Sequence, residues 1–154
     1  MKSIKPEFLD VVNYALCQAV DDYIGKDAVS FFRRVGEHHL DEALKRAFVT
    51  LNPKGKPLDN LIRIARYLES TGYMEKILIN KLSESEAIVE MYGVSVTESS
   101  ADLLRAGKQP SHFMTNIMLA ALRRMGIQAE LKDVDYDRDE RRFRERWTVL
   151  GPLK

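Results

Sequence analysis

Three histidines and one cysteine are the side chains of this sequence best suited to bind a metal ion or act as a nucleophile. His38 and His39 are adjacent in a predicted helix, where neighbouring side chains point about 100° apart, so they cannot ligate one ion without distortion. His112 lies in another element, and no cysteine or spaced carboxylate completes a recognisable ligand set. The pattern favours a partly buried His39 and a surface His38. No residue is assigned to a metal, and contact of any of the three histidines with one stays open.

Cys17 is predicted to be a small, buried core residue. A nucleophilic cysteine needs a cationic neighbour to lower its pKa. The residues three and four positions away on the predicted helix carry no positive charge: Asn13, Tyr14, Val20 and Asp21. The sequence also has no HExxH, CxxC, P-loop, GxGxxG or GxSxG arrangement in the required context. No catalytic residue is therefore assigned, and we expect a protein that is not an enzyme.

The segment from Arg138 to Arg146 is rich in arginine, as nucleic-acid-binding patches are. Acidic residues interrupt it and largely cancel its field: Asp133, Asp135, Asp137, Asp139, Glu140 and Glu145. We predict a charged hairpin face that protects a sheet edge. Trp147 and Tyr136 are expected to form an aromatic cross-strand pair rather than a platform for bases. With 24 basic and 23 acidic residues in the whole chain, no nucleic-acid partner is expected.

Length and composition indicate one globular domain. The 154 residues are 45% hydrophobic and 31% charged. We expect residues 1–154 to form a single domain, with a helical part at about 1–72 and a hairpin–helix–hairpin part at about 73–150. The single cysteine excludes an internal disulfide, and no apolar run approaches the roughly 20 residues of a membrane span. Acidic residues interrupt any signal-peptide pattern, so the predicted location is cytoplasmic.

Apolar residues recur at three- and four-residue steps in the first part of the chain. They predict helices at about 6–25, 27–48 and 58–70. Asp27 is expected to cap the second helix through its carboxylate, and Gly72 to end the third in a left-handed conformation. The Asn52–Pro57 segment is a predicted loop because it contains two prolines and a glycine.

From Tyr73 onwards the apolar period changes from 3.6 to 2. Strands are predicted at 73–82 and 86–96, and Leu78 and Met91 suggest that this hairpin is covered on both faces. A loop at 99–107 should contain one helical turn around residues 102–105. A helix at 112–125, closed by Gly126, is apolar almost all round and should be sandwiched between two layers.

The last hairpin is predicted at 127–136 and 141–150. Its second strand shows one face through a regular alternation: Phe143, Glu145, Trp147 and Val149. The order of elements predicts an α+β fold, with N-terminal helices packed on a β-β-α-β-β antiparallel-sheet core as a two-layer sandwich.

Six methionines and six phenylalanines exceed what a small two-layer core needs. Several should converge on a mostly apolar pocket with a histidine and tyrosine hydroxyls, as small-ligand sites have. The candidate ligand-binding residues are Phe31, Phe32, Val35, His39, Tyr67, Tyr73, Met114 and Met118. The alternative is an ordinary core in which methionine fills irregular gaps.

Several segments resemble the 4-vinyl reductase domain family, small hydrocarbon-binding domains related in fold to subunits of the TRAPP vesicle-tethering particle. The segments are 32–39, 68–73, 86–92, 99–104, 110–122 and 125–130. The resemblance implies a β-β-α-β-β core on N-terminal helices, a homodimer, and binding of a small hydrophobic or tetrapyrrole-like molecule. It implies no metal, because Asp133 and Asp135 stand where many members have cysteines.

Two functions are consistent with these patterns. The first is a non-enzymatic sensor or binding domain for an apolar or tetrapyrrole-like ligand, with His39 and Tyr73 as polar contacts. The second is an assembly protein that dimerises through its helices without a ligand. A reductase would need a hydride source, and no nucleotide-binding motif is present to hold one. The cofactor is left unassigned.

Overall fold

The computed structural model describes residues 2–153 and has the predicted α+β architecture. Its helices are α1 (Pro6–Ile24), α2 (Ala28–Lys45), α3 (Pro57–Ser70), α4 (Thr97–Arg105) and α5 (Phe113–Arg124). Its strands are β1 (Lys76–Lys81), β2 (Glu86–Tyr92), β3 (Ile127–Asp137) and β4 (Arg142–Pro152). None of the helices in residues 2–153 combines the length and apolar character that a membrane span requires.

The bounds of most helices follow from local chemistry. Pro6 and Pro57 occupy the first positions of α1 and α3, where the missing N–H has no intrahelical partner to lose. Gly72 and Gly126 follow α3 and α5 with φ of +75° at each, the left-handed conformation expected after a helix. The predicted helix ends at Gly72 and Gly126 are confirmed, whereas Pro57, predicted to belong to the preceding loop, is the first residue of α3.

Three helix predictions need correction. Asp27 belongs to a 3-10 turn between α1 and α2, and its side chain makes no capping hydrogen bond. Helix α2 ends at Lys45, before Phe48. The predicted loop at 99–107 is largely the full helix α4. Its buried side consists mostly of small residues, Thr97, Ser99, Ser100 and Ala101, and Leu103 is its one large apolar side chain. The apolar period was therefore too weak to show it.

The strands form one antiparallel sheet in the order β1-β2-β4-β3. One face is buried, and its members on the two central strands are Ala87, Val89, Met91, Phe143, Glu145 and Trp147. The predicted alternation on β4 is thus present. The prediction that the first hairpin is covered on both faces is wrong, since Leu78 on β1 is 40% exposed.

The arginines of β4 lie on the other face of the sheet. Because β4 pairs with both β2 and β3, it is a central strand, and its charges do not protect an edge. Arg146 and Arg142 instead form cross-strand ion pairs with Glu86 and Glu90, at 3.4 and 3.6 Å. The edge at this side of the sheet is β3.

The predicted pair between Trp147 and Tyr136 does not form. Tyr136 lies opposite Phe143, with ring centroids 4.9 Å apart, and Trp147 lies opposite Leu131. A register shift between Lys132 and Asp135 accompanies this pairing. The exact register of the hairpin depends on that irregularity, which the alternation of residue types does not reveal.

Helix α5 is the centre of the two layers. It packs against α2 and α3 on one side and against the sheet on the other. Four of its side chains are completely buried: Ile117, Met118, Ala121 and Leu122. The sandwiched helix predicted from the sequence is therefore present.

Gly36 allows α2 to approach α5 closely. A Cβ atom at this position would lie 2.5 Å from the backbone carbon and oxygen of Asn116, which is closer than real Cβ atoms come. The obstacle is backbone rather than a flexible side chain, so it cannot move aside alone. The separation of the two helices therefore depends on the absence of a side chain at Gly36.

The variant Gly36→Ala should be less stable by about 1–3 kcal/mol, because overpacking forces α2 and α5 apart. Helix propensity alone would favour alanine by about 1 kcal/mol, so a net loss isolates the steric contact. The measurement is chemical denaturation followed by circular dichroism. Ser30→Ala, at an exposed position of the same helix, is the control and should change stability by less than about 0.5 kcal/mol. Equal stability of Gly36→Ala and the wild type would contradict the close contact.

Candidate functional site

A cavity of about 760 Å³ lies between the start of α1, the middle of α2, the end of α3 and the start of α5. Its wall in the described residues carries no Asp, Glu, Lys or Arg. The lining residues are Ser3, Ile4, Pro6, Leu9, Val35, His39, Leu68, Thr71, Gly72, Tyr73, Ser95, Phe113 and Met114. Its size falls within the range of small-molecule sites, roughly 300–1,000 Å³.

Four of the eight candidate residues meet at this wall: Val35, His39, Tyr73 and Met114. Tyr67 lies behind the wall, where it contacts His39. The structure thus brings Val35 and His39 of α2 together with Tyr73 and with Met114 at the start of α5.

The other three candidates lie elsewhere. Phe32 is fully buried in a small second core with Cys17 and Leu103, and Phe31 packs edge-on against it near the surface. Met118 is fully buried in the main core. An unexposed Met118 also cannot be a contact between subunits, so helix-mediated dimerisation would have to use another surface.

The sequence pattern did not identify the contribution of α1 to the wall. Ser3, Ile4, Pro6 and Leu9 precede or begin that helix, far from Met114 in sequence. No periodicity indicates that these residues face a cavity, because their neighbours across it belong to other elements. Leu68, buried near the end of α3, also contributes to the wall, and its place there is likewise a tertiary property.

His39 is partly buried and hydrogen-bonded. Its Nε2 atom lies 3.0 Å from the hydroxyl oxygen of Tyr67. Burial lowers the pKa of His39 and raises the pKa of Tyr67, which favours the uncharged form of both. His38 is exposed, as predicted. The pair therefore adds polarity to the cavity without adding charge.

Tyr73 is positioned by the loop before α4. The backbone N–H and the hydroxyl of Ser95 each donate a hydrogen bond to the Tyr73 carbonyl oxygen, at 2.8 Å. The Tyr73 hydroxyl is buried and has no hydrogen-bond partner within residues 2–153. Burial raises the pKa of Tyr73 well above its usual range, with smaller contributions from Cys17 and Asp10. A neutral hydroxyl with unused hydrogen-bonding capacity therefore belongs to the wall.

Beside the cavity, a buried polar network joins α1 to α4 and to the segment before α5. Asn13 donates to the Ser99 hydroxyl at 2.8 Å and accepts from the Ser111 hydroxyl at 2.6 Å. Cys17 is buried next to it, 3.8 Å from the Asn13 side-chain oxygen, and burial raises the pKa of the thiol. The prediction of an inert core cysteine agrees with this position. His112 has φ of +44°, and burial lowers its pKa.

Two other possible sites are weaker candidates for binding a ligand. Within the described residues, no group of three or more His, Cys, Asp or Glu side chains is arranged to hold a metal ion. A second cleft of about 400 Å³ lies between α2, α5 and β3, with Arg33, Glu37 and Arg123 in its wall. It is smaller and more polar than the cavity beside His39, which is the better candidate for an apolar ligand.

Glu145 is a buried acid between the sheet and α5. It is 2% exposed, and it accepts hydrogen bonds from the Thr115 hydroxyl at 2.5 Å and from the Trp147 indole N–H at 2.9 Å. Burial raises the pKa of Glu145 to about 7, although the two hydrogen bonds act in the opposite direction. The alternation predicted that Glu145 shares a face with Phe143 and Trp147. The prediction that its charge offsets the arginines is wrong, because Glu145 is buried on the opposite face of the sheet. Its interaction with Thr115 required the packing of α5.

Comparison with known proteins gives a fold but no family. No protein-family model and no curated protein matches the sequence. Solved H-NOX structures cover the whole chain: a mutant of T. tengcongensis H-NOX has a TM-score of 0.61 at 10% identity. An oxygen-binding H-NOX domain related to soluble guanylate cyclases has a TM-score of 0.59 at 10% sequence identity. An H-NOX protein in which heme distortion was probed has a TM-score of 0.58 at 11% sequence identity. The chain spans 79%, 77% and 77% of these three proteins.

The resemblance to 4-vinyl reductase domains and the TRAPP-related fold is therefore wrong. The solved structures that share the fold are H-NOX domains, over 100% of this chain. The residues behind the resemblance described a hairpin, a helix and a second hairpin by spacing and residue type. Such spacing reports the order of elements, and that order is compatible with more than one fold.

Glu145 should make the free energy of unfolding depend on pH. Since its pKa in the folded protein, about 7, is above the ordinary value of 4.5, the folded state retains a proton that the unfolded state loses. Stability should therefore fall as the pH rises from about 4.5 to 7, by about 3 kcal/mol in total, and stay low above pH 7. Glu145→Gln keeps a neutral hydrogen-bonding group and should flatten this slope.

The measurement is urea denaturation at several pH values between 5 and 8. Glu130→Gln, at an exposed position of β3, is the matched control and should keep the wild-type slope. If Glu145→Gln and the wild type lose stability equally over this range, another group causes the pH dependence.

Proposed function

We propose that this chain is a non-enzymatic, single-domain module that binds a small, neutral and mainly apolar molecule in the cavity beside His39 and Tyr73. The observation that carries the proposal is the uncharged wall of a cavity of about 760 Å³. A charged ligand would lose hydration there without gaining an ion pair, whereas an apolar one gains about 25 cal/mol for each Å² removed from water.

The wall also supports a specific orientation for such a ligand. Thr71 and Ser95 contribute hydroxyls that donate to backbone carbonyl oxygens, whereas the Tyr73 hydroxyl has no partner within residues 2–153. A ligand with one carbonyl or hydroxyl group among apolar atoms would satisfy the Tyr73 hydroxyl. A few polar groups in a mostly apolar wall are the usual basis of orientation in small-molecule sites.

The H-NOX neighbours raise heme as a candidate, since one of them was studied for the function of heme distortion. The residues present do not fit it. No Arg or Lys lines the described wall to receive the two heme carboxylates. His39 is the histidine of the wall, but its Nε2 atom is hydrogen-bonded to the hydroxyl of Tyr67, which lies outside the wall. This nitrogen is therefore already engaged. We therefore favour a neutral ligand over a heme-based sensor.

Binding can be tested with N-phenyl-1-naphthylamine, a neutral apolar fluorophore. Its fluorescence should rise on addition of the wild-type protein and saturate at one site. Val35→Trp should fill part of the cavity and weaken binding at least about tenfold, or about 1.4 kcal/mol. Val29→Trp places the same side chain at an exposed position of the same helix and should bind as the wild type does.

Two results would contradict the proposal. Equal binding by Val35→Trp and Val29→Trp would place the fluorophore outside the cavity. A hemin titration that gives a Soret band in the wild type, lost in His39→Ala, would show that the site is a heme site. Native mass spectrometry of the purified protein would report the mass of any co-purifying small molecule.

A further inference from the structure

Helix α1 is buried on one side, by both polar and apolar residues, and exposes apolar residues on the other. Its inner side is held by the buried network around Asn13, and Asp10 accepts a hydrogen bond from the Ser99 backbone N–H at 3.1 Å. Its outer side is apolar and exposed: Phe8 is 60%, Val11 67% and Tyr23 90% exposed. An exposed apolar surface of this kind marks an interaction site.

This outer face is continuous along the helix. It is formed by Phe8, Val11, Val12, Ala15, Leu16 and Ala19, all exposed. At 100° per residue these six positions fall within an arc of about 140°. Lys5 and Asp22, also exposed, close the two ends of the face.

The centre of the outer face has the spacing of a helix–helix seam. Its residues alternate between steps of three and four: Lys5, Phe8, Val12, Ala15, Ala19 and Asp22. This is the heptad spacing with which two helices pack side by side. The seam extends from one end of α1 to the other, so its natural partner is another helix of similar length.

We propose that the outer face of α1 pairs with the same face of a second copy of this chain, with the two helices antiparallel. A two-fold axis between Asn13 and Tyr14 brings residues equally distant from that midpoint into one layer. Phe8 then packs against Ala19 of the second copy, and Val12 against Ala15. Each layer combines a large and a small side chain, as close packing requires.

The same register pairs opposite charges at the ends. Lys5 faces Asp22 of the second copy, and the symmetry repeats this pair at the other end. A parallel pairing would instead place Lys5 against Lys5, Asp22 against Asp22 and Phe8 against Phe8. Size and charge thus agree on the antiparallel arrangement, which goes beyond the proposed ligand-binding function and does not depend on it.

Sedimentation velocity over a concentration series tests the dimer, with a charge exchange to test its register. Lys5→Glu or Asp22→Lys alone places like charges together at both ends and should weaken the dimer about tenfold. The double variant with both substitutions restores opposite charges and should regain wild-type association. In a parallel dimer each residue faces its own copy, so like charges meet in the wild type and in every variant, and neither the loss nor the recovery of association would be seen.

Phe8→Asp tests the apolar seam itself. Because Phe8 is exposed, this variant should keep the wild-type circular dichroism spectrum while sedimenting as a monomer. A wild-type protein that is monomeric at high micromolar concentration would overturn the proposal. So would a folded Phe8→Asp variant with unchanged dimerisation, or a double charge variant that fails to recover.

Discussion

The backbone contact between Gly36 and Asn116 sets the distance between α2 and α5, and the remaining layers are arranged around this pair. α5 is apolar on nearly every side, so it must be covered both by helices and by the sheet. The close approach of α2 provides the helical cover, with α3 beside it. The cavity lies where this packing ends, at the start of α5. Met114 of α5 and Val35 and His39 of α2 line it there.

Burial shifts three ionisable side chains inside the protein toward their uncharged forms. Burial lowers the pKa of His39 and raises that of Tyr73, while the pKa of Glu145 rises to about 7. The common cause is desolvation, which disfavours whichever form carries the charge. Two of the three have a hydrogen-bond partner, and the Tyr73 hydroxyl has none within residues 2–153. This absence of charge is the basis for proposing an uncharged ligand.

One side of α1 is attached to the rest of the protein, and the other side is exposed. The network of Asn13 with Ser99 and Ser111 attaches the helix to α4 and to the segment before α5, and its first residues close part of the cavity. Cys17 and Val20 add apolar contacts on this inner side, whereas the apolar residues of the outer side remain exposed. Exposed apolar surface does not stabilise a monomer, and pairing with a second copy would remove that surface from water.

The sequence by itself determined the order of the strands and of every helix except α4, many of their bounds, the burial of Cys17 and the covered position of α5. These are properties of single elements, set by apolar period, by proline and glycine conformations and by residue size. The tertiary structure alone decided which strand is central, that Tyr136 pairs with Phe143, and that Ile4 and Met114 share a cavity. Such contacts join residues distant in the chain, and local periodicity carries no information about which elements meet.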